Sequence, residues 1–272
     1  MTGTRRTARK QPSVMRLFEA TEIQDYDIHP DGTKAVCSVN SGSNWELAIL
    51  DLGTGRTRRL LSGTQSLMSP AYSPCGSTVA YHADFEGDED HDIFTVSADG
   101  KVRHRVTRDC ADNQHPQFSP DGKRIAFISN RDGDMENLFV SDLRGRSVRK
   151  LSHEELPVRT LEWSPDGSRM AFGTGIGDED YISVVDIEKG KARRVLSKKG
   201  VEYGANGDFG AATSNWSPDG SRLLFTSNED DQLDIGELEL SSRRTRWLVR
   251  SKGEKMCPQW SPDGARLAYL ET

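Results

Sequence analysis

Cysteine is scarce in this 272-residue sequence, which contains four, and none of them belongs to a C-x-x-C pair. Cys37, Cys75, Cys110 and Cys257 also lack a nearby histidine at the spacing of a metal ligand. Zinc sites and disulfide-stapled domains depend on such groupings. The sequence therefore predicts neither, and it predicts no metal or other cofactor.

Long apolar runs are missing as well, since no stretch approaches 18 consecutive apolar residues. Arg5 and Arg6 invite comparison with a twin-arginine export signal, but the following segment SVMRLFEA is short and interrupted by Arg16. The sequence thus predicts no membrane span. It predicts a cytoplasmic location, or a periplasmic one if an export signal is missing from this chain.

Positive charge is not in excess, because 36 Lys and Arg stand against 42 Asp and Glu, for a net charge of -6. This balance argues against general nucleic-acid binding. Four basic residues and no acid fall within the first ten positions. Residues 1–12 are therefore expected to form a disordered basic tail.

The sequence also has no G-x-S-x-G nucleophile motif. Its six histidines are scattered without any i,i+2 or i,i+4 pair, at His29, His82, His91, His104, His115 and His153. Hydrolysis by this chain alone is not expected. A Ser-His-Asp arrangement assembled from distant segments is the alternative.

A turn motif is present six times, with a large apolar residue, then a polar residue, proline and glycine. The copies are DIHPDGTKAVC (27–37), AYSPCGSTVAY (71–81), QFSPDGKRIAF (117–127), EWSPDGSRMAF (162–172), NWSPDGSRLLF (215–225) and QWSPDGARLAY (259–269). Their glycines are 44, 46, 45, 53 and 44 residues apart. Such a period, filled with short strands, is typical of four-stranded propeller blades.

Each position of the motif has a physical role in that fold. Proline presets the turn and glycine accepts a positive φ, while apolar residues at alternate positions after the turn predict a strand with one buried face. The residues before the turn are expected to fill layers between blades; they are Ile28, Tyr72, Phe118, Trp163, Trp216 and Trp260. Two further strands per unit are predicted from runs such as NLFVSD (137–142) and SVRKL (147–151).

The predicted fold is all-β: a six-repeat β-propeller of four-stranded antiparallel blades, with the last blade incomplete in this chain. The propeller is expected over residues 13–272, with repeats near 20–62, 63–108, 109–152, 153–197, 198–250 and 251–272. Residues 13–19 could supply a closing strand. The favoured alternative is that the chain is part of a longer polypeptide.

These units resemble the WD40-like repeats of TolB propellers, and residues 115–145 match that pattern closely. They also resemble the N-terminal propeller of prolyl oligopeptidase and acylaminoacyl-peptidase-type serine peptidases, notably in DYDIHPDGTKAVCSVN with WELAILDLGTGRTRRL. The TolB resemblance implies a non-catalytic module that binds a protein or peptide. The peptidase resemblance implies a substrate-gating propeller that accompanies a hydrolase domain.

Charge follows the repeat too. The turns between second and third strands are acidic in four of five units, and the segments around the fourth strands are basic in every unit, which predicts an acidic rim and an opposite basic side. The candidate partner-binding residues are Asp88, Glu89, Asp90, Asp132, Asp134, Asp178, Glu179, Asp180, Glu229 and Asp230, with Tyr203 and Phe209 in the longest inter-repeat loop. Such a rim could steer a cationic protein or peptide. Ordinary solvated turns and protected edge strands are the alternative explanation.

Overall fold

The computed structural model describes residues 22–40, 42, 44–84, 90–133, 135–175, 180–204 and 216–272. Within these ranges the regular structure consists of β-strands and turns, without a helix. No helix in this part of the chain is therefore long and apolar enough to span a membrane. The predicted basic tail and the closing strand at 13–19 lie outside the described residues.

The strands form five four-stranded sheets and one two-stranded sheet, here named blades 1 to 6 in chain order; strand order is sequential within each. Blade 1 contains β1 (Ile23–Ile28), β2 (Lys34–Asn40), β3 (Trp45–Asp51) and β4 (Thr57–Leu61). Blade 2 contains β5 (Leu67–Tyr72), β6 (Thr78–Asp84), β7 (His91–Ser97) and β8 (Arg103–Arg105). Blade 3 contains β9 (Asn113–Phe118), β10 (Arg124–Ser129), β11 (Asn137–Asp142) and β12 (Arg149–Lys150).

Blade 4 contains β13 (Val158–Trp163), β14 (Arg169–Thr174), β15 (Tyr181–Asp186) and β16 (Lys191–Ser197). Blade 5 contains β17 (Tyr203–Gly204), β18 (Arg222–Ser227), β19 (Asp234–Glu239) and β20 (Arg244–Val249). Blade 6 contains β21 (Lys255–Trp260) and β22 (Leu267–Glu271). Neighbouring strands within each blade pair antiparallel, as in β13 with β14 and β14 with β15.

The turn between first and second strands is held by its aspartate. In blade 4 the Ser164 hydroxyl donates to Asp166 Oδ1 over 2.6 Å, and the Ser168 N–H donates to the same oxygen over 3.0 Å. The Ser164 bond is the largest cause that lowers the pKa of Asp166 to about 2. Gly167 has a φ of 68°, in the left-handed region that glycine tolerates at little cost.

The corners of successive blades touch one another. Gly122 faces the ring of Pro74, Gly167 faces Pro120, Gly220 faces Pro165 and Gly264 faces Pro218. At the corresponding contact between blades 1 and 2, the ring of His29 lies over Gly76. The Pro-x-Gly turns therefore line up along one side of the molecule, as radial stacking of blades requires.

The hydrophobic core lies between blades. One cluster joins Leu138 and Val140 of blade 3 to Leu161, Trp163 and Met170 of blade 4, and three other clusters join the remaining neighbours among blades 1 to 5. Each blade thus buries its apolar faces only by packing on the next one. This arrangement confirms the predicted all-β propeller.

The large residue before each turn fills these layers, as predicted, for Tyr72, Phe118, Trp163 and Trp216, which are all buried. The Trp163 indole N–H donates to the carbonyl of Gln117 in the preceding blade over 3.3 Å. The Arg124 guanidinium of that blade lies 5.4 Å from the indole ring centre. Trp216 repeats both contacts, with Glu162 and Arg169.

Ile28 is an exception to the expected pattern. Its side chain is 51% exposed, and Ile23 and Tyr26 on the same strand are also largely exposed. The reason is that this residue type is buried by the blade that precedes it, and no complete blade precedes β1 among the described residues. Blade 1 consequently presents an open apolar face.

Candidate functional site

The innermost strand of most blades is interrupted by a β-bulge. In blades 2, 3 and 6 the bulge carries a residue with positive φ followed by proline: Ser69 at 48°, His115 at 53° and Cys257 at 54°. Non-glycine residues seldom adopt this conformation, and they concentrate at functional sites. A bulge also redirects its side chains relative to a regular strand.

The bulge residue is the third one before the large apolar residue of each repeat. That position holds Asp25, Ser69, His115, Thr160 and Cys257 in blades 1, 2, 3, 4 and 6. The neighbouring turn and core positions repeat almost unchanged, whereas this position carries different polar or thiol side chains. The same fold is therefore built with different side chains at the bulge position.

Three of these residues are linked across blades 1, 2 and 3. The Ser69 backbone N–H donates to Asp25 Oδ2 over 3.1 Å, and the Ser69 hydroxyl lies 3.5 Å from the same oxygen. On its other side, Ser69 Oγ lies 3.1 Å from His115 Nδ1. Asp25 is only 6% exposed, and Ser69 and His115 are partly exposed.

Two more histidines extend this group. The His115 backbone N–H donates to His82 Nδ1 over 3.3 Å, and the rings of His82 and His91 meet edge to face at 4.9 Å between centres. His91 Nδ1 lies 2.8 Å from Asp112 Oδ1, and the Gln114 amide donates to the other oxygen of Asp112. We name Asp25, Ser69, His82, His91, Asp112 and His115 the bulge cluster.

Burial sets the charge of the bulge cluster. Loss of solvent lowers the pKa of His115 and lowers the pKa of His82 well below its usual value. Burial also raises the pKa of Asp25, with the Ser69 backbone bond acting against it. Near neutral pH the imidazoles of His82 and His115 are therefore uncharged.

The order of groups differs from that of a hydrolytic triad. In Ser-His-Asp catalysis the imidazole lies between the serine and the carboxylate, which orients the ring as a base. In the bulge cluster the serine lies in the middle, and Asp25 hydrogen-bonds to Ser69. The three residue types of the cross-blade alternative therefore do meet, but in a different order.

The four cysteines are free thiols. Among the described residues, no three histidine, cysteine, aspartate or glutamate side chains are grouped so that they could hold a metal ion.

The predicted acidic rim is only partly within the described residues. Asp88, Glu89, Asp134, Asp178, Glu179 and Phe209 lie outside them, whereas Asp90, Asp132, Asp180, Glu229 and Asp230 lie inside. Three of the latter form ion pairs with basic residues at or just after a fourth strand: Asp132 with Lys150 at 3.8 Å, Glu229 with Lys198, and Asp230 with Arg250. The predicted separation of acidic and basic sides is corrected here. A fourth strand ends on the side where the acidic turns begin, so the two charges meet.

Tyr203 was expected in a binding loop, but its ring lies in β17. It is 8% exposed and packs against Phe225 with 6.0 Å between ring centres, in the core between blades 4 and 5. Tyr203 thus packs in the core between blades 4 and 5, and its predicted partner contact stays a prediction.

The bulge cluster was not predicted from the sequence. A usable signal existed, because Asp25, Ser69 and His115 occupy the same offset in consecutive repeats, 44 and 46 residues apart. Equal offsets in neighbouring blades bring side chains together. The repeat motif is defined by the residues that the units share, and the bulge position is one at which they differ.

The chain is similar in sequence to a bacterial protein. A Bacillus subtilis protein described as an uncharacterized peptidase, YuxL, is 27% identical over 198 residues, which are 60% of this chain and 30% of that protein. The chain thus spans less than a third of that relative's length.

Two solved structures show the same architecture. TolB from Acinetobacter baumannii superposes with a TM-score of 0.65 at 21% identity, over 86% of this chain and 56% of TolB. A prolyl endopeptidase superposes with a TM-score of 0.68 at 13% identity, over 93% of this chain and 40% of that enzyme. At these identities the likeness concerns the fold.

The family assignment comes from the sequence as well as the fold. The model of the TolB beta propeller domain matches residues 27–198 and again 135–272, which together include most of the chain. The repeated Pro-x-Gly corners and the inter-blade aromatic residues are the features that recur throughout the matched region. The chain belongs to the TolB β-propeller domain family.

Proposed function

We propose that this chain is a non-catalytic binding module that holds a cationic peptide segment of a protein partner at the mouth of its central channel. The observation that carries the proposal is the contact of Asp25, Ser69 and His115 across three blades. A nearly buried carboxylate, a hydroxyl and an uncharged imidazole together accept hydrogen bonds from an ammonium or guanidinium group. The resemblance of the repeats to those of TolB propellers implies a protein-binding role by analogy.

The location of the bulge cluster also favours a ligand that enters the channel. First strands begin on the side where second strands end, which is the side of the acidic turns and opposite to the Pro-x-Gly corners. His91 and Asp112 belong to the start of β7 and to the segment before β9, on that same side. A cationic segment that enters from this side would therefore reach the bulge cluster.

The test is fluorescence anisotropy with two tetramethylrhodamine-labelled probes, a lysine pentapeptide and a glutamate pentapeptide. We expect the lysine peptide to bind more tightly, and Asp25→Asn to weaken it by roughly tenfold to a hundredfold, because hydrogen bonds to charged groups contribute about 1.5–3 kcal/mol. The matched control is Asp99→Asn, which removes the same charge from a turn on the opposite side. Equal binding of both peptides, or an unchanged affinity in Asp25→Asn, would contradict the proposal.

The second candidate function is a substrate-gating propeller of a serine peptidase. It is favoured by the match to the peptidase-described relative and by the superposition on 40% of a prolyl endopeptidase. The test is to determine the coding sequence that follows codon 272 in the source gene. A G-x-S-x-G motif within an α/β domain would support this role, and an immediate stop codon would support the stand-alone module.

A further inference from the structure

The bulge cluster contains more ionisable groups than an ammonium site requires. Two carboxylates would be enough to hold a cation, yet three imidazoles lie among them. Blade 4 forms its inner strand with Thr160 at the same repeat position, and the Thr160 hydroxyl accepts the Gly173 N–H over 3.0 Å. The fold therefore does not require histidine at this position. The property that distinguishes the imidazoles from Thr160 is that they can take up a proton.

His115 is the central member of the group. Through Ser69 it is linked to Asp25, and its own backbone N–H is bonded to His82. The elements around β9 present further groups. They are Asp25 from β1, His82 from β6, His91 and Asp92 from β7, Asp112 before β9, Arg124 from β10, and Arg159 and Glu162 from β13.

Several of these neighbours are engaged elsewhere. Asp92 forms an ion pair with Arg105, and Arg124 lies over the indole ring of Trp163. The groups that act electrostatically on His115 are Asp25 and Asp112, which favour its protonation, and His91, which opposes it. The protonation state of His115 is thus tied to the same two carboxylates that would hold a cationic ligand.

We propose that the bulge cluster is a proton-gated site for an ammonium group, filled when its histidines are neutral and emptied when they take up protons. The proposal rests on the proposed function, since it assumes that a cationic segment reaches Asp25. An imidazolium at His115 replaces the ligand as the positive partner of both carboxylates. Ligand and proton therefore compete for the same charge.

The direction of the pH effect follows from this competition. Burial favours neutral His115, so the site is ready for a cation near neutral pH and loses affinity as the pH falls below the usual histidine range, near 6.5. Linkage also requires the reciprocal effect: a bound cation lowers the proton affinity of His115 by the same factor, and its pKa falls accordingly.

The binding experiment uses the tetramethylrhodamine-labelled lysine pentapeptide at about pH 7.5 and about pH 5.5. We expect the wild-type affinity to fall between these values by up to about tenfold, the limit set by one proton that binds with a pKa of about 6.5. In His115→Asn the pH effect should shrink to less than about threefold, because asparagine tolerates the positive φ and can still hydrogen-bond to Ser69 but does not titrate. His104→Asn, on the exposed outer strand β8, is the matched control and should behave as wild type.

A second measurement needs no variant. The ¹³Cε1 and ¹Hε1 resonances of His115 are followed through a pH titration with and without unlabelled lysine pentapeptide. We expect the peptide to lower the titration midpoint of His115, as reciprocity requires.

The outcomes separate the two proposals. Lysine-peptide binding that depends on Asp25 but is equal at both pH values, with an unmoved His115 midpoint, would overturn the proton gate and leave the binding function intact. Absence of lysine-peptide binding at both pH values would overturn both.

Discussion

At the residue scale, the corner of blade 2 differs chemically from the others, because Cys75 stands where they carry aspartate. Cys75 Sγ lies 3.0 Å from Ser77 Oγ and 3.5 Å from Ser73 Oγ. The hydrogen bonds from Ser73 and Ser77 lower the pKa of this exposed thiol to about 7. In blade 4 the equivalent Asp166 accepts both a hydroxyl and a backbone N–H. A carboxylate is a stronger acceptor than sulfur at this position.

We therefore predict that Cys75→Asp stabilises the protein. The new carboxylate would accept the Ser73 hydroxyl and the Ser77 N–H, and the expected gain is about 0.5–1.5 kcal/mol of unfolding free energy. Urea unfolding near neutral pH measures it, with Cys75→Ala as the control that should show no gain. A midpoint equal to or below that of wild type would show that the blade 2 corner does not use the aspartate geometry.

At the element scale, the turn between third and fourth strands packs on the previous blade. A Cβ added at Gly145 of blade 3 would overlap the carbonyl oxygen of Val106, which follows the outer strand of blade 2. Gly100 of blade 2 approaches the Leu60 carbonyl of blade 1 in the same way. Gly55 of blade 1 has the same φ of 68° as Gly145, but a Cβ there would meet nothing within 4 Å. The outer turns thus repeat the interlock already seen at the Pro-x-Gly corners.

We predict that Gly145→Ala is markedly more destabilising than Gly55→Ala. Both replacements incur the left-handed penalty of about 1–2 kcal/mol, whereas only Gly145→Ala also has to displace a neighbouring backbone, which costs about 1–3 kcal/mol more. Chemical unfolding of the two variants measures the difference directly. Equal losses would show that the outer turns do not hold the blades together.

Many of these strands can be predicted from the sequence. The third-strand runs 45–51, 137–142 and 181–186 coincide with β3, β11 and β15, because a short apolar run bounded by turn residues marks a buried strand. The predicted burial of Ile28 is wrong, because burial of that position depends on the blade before it. The bulge cluster was missed because its hydrogen bonds join residues 44 and 46 positions apart, and local pattern does not specify such contacts.

At the scale of the whole molecule, the blades are not joined uniformly. Blades 1 to 5 share apolar layers, whereas the contact between blades 5 and 6 includes a buried charge besides the corner contact of Gly264 with Pro218. Lys255 is fully buried, and its Nζ lies 2.9 Å from Asp234 Oδ1 and also contacts the Ser251 carbonyl. Arg250 Nε lies 3.4 Å from the other oxygen of Asp234. A buried pair of this kind fixes position more than it adds stability.

We predict that Lys255→Met loosens blade 6 selectively. Removal of one partner of a buried pair costs about 3–5 kcal/mol, and Arg250 should moderate that loss toward the lower value. Hydrogen exchange should accelerate over β21 and β22 more than over β13 to β16. The exposed Lys252→Met is the matched control and should leave exchange unchanged; a uniform acceleration across the chain would contradict a local role for Lys255.

The changing residue at the bulge has a consequence for how such a molecule can acquire new specificities. The corners, aromatic layers and outer turns hold the blades together, so a substitution at a bulge changes a side chain at the channel without repacking the core. Duplication of one unit followed by a change of one codon would therefore add a new chemical group to the channel lining of a fold that is already stable. Selection can then explore ligands through the bulge residues of blades 1, 2, 3, 4 and 6, while the framework stays under separate constraint.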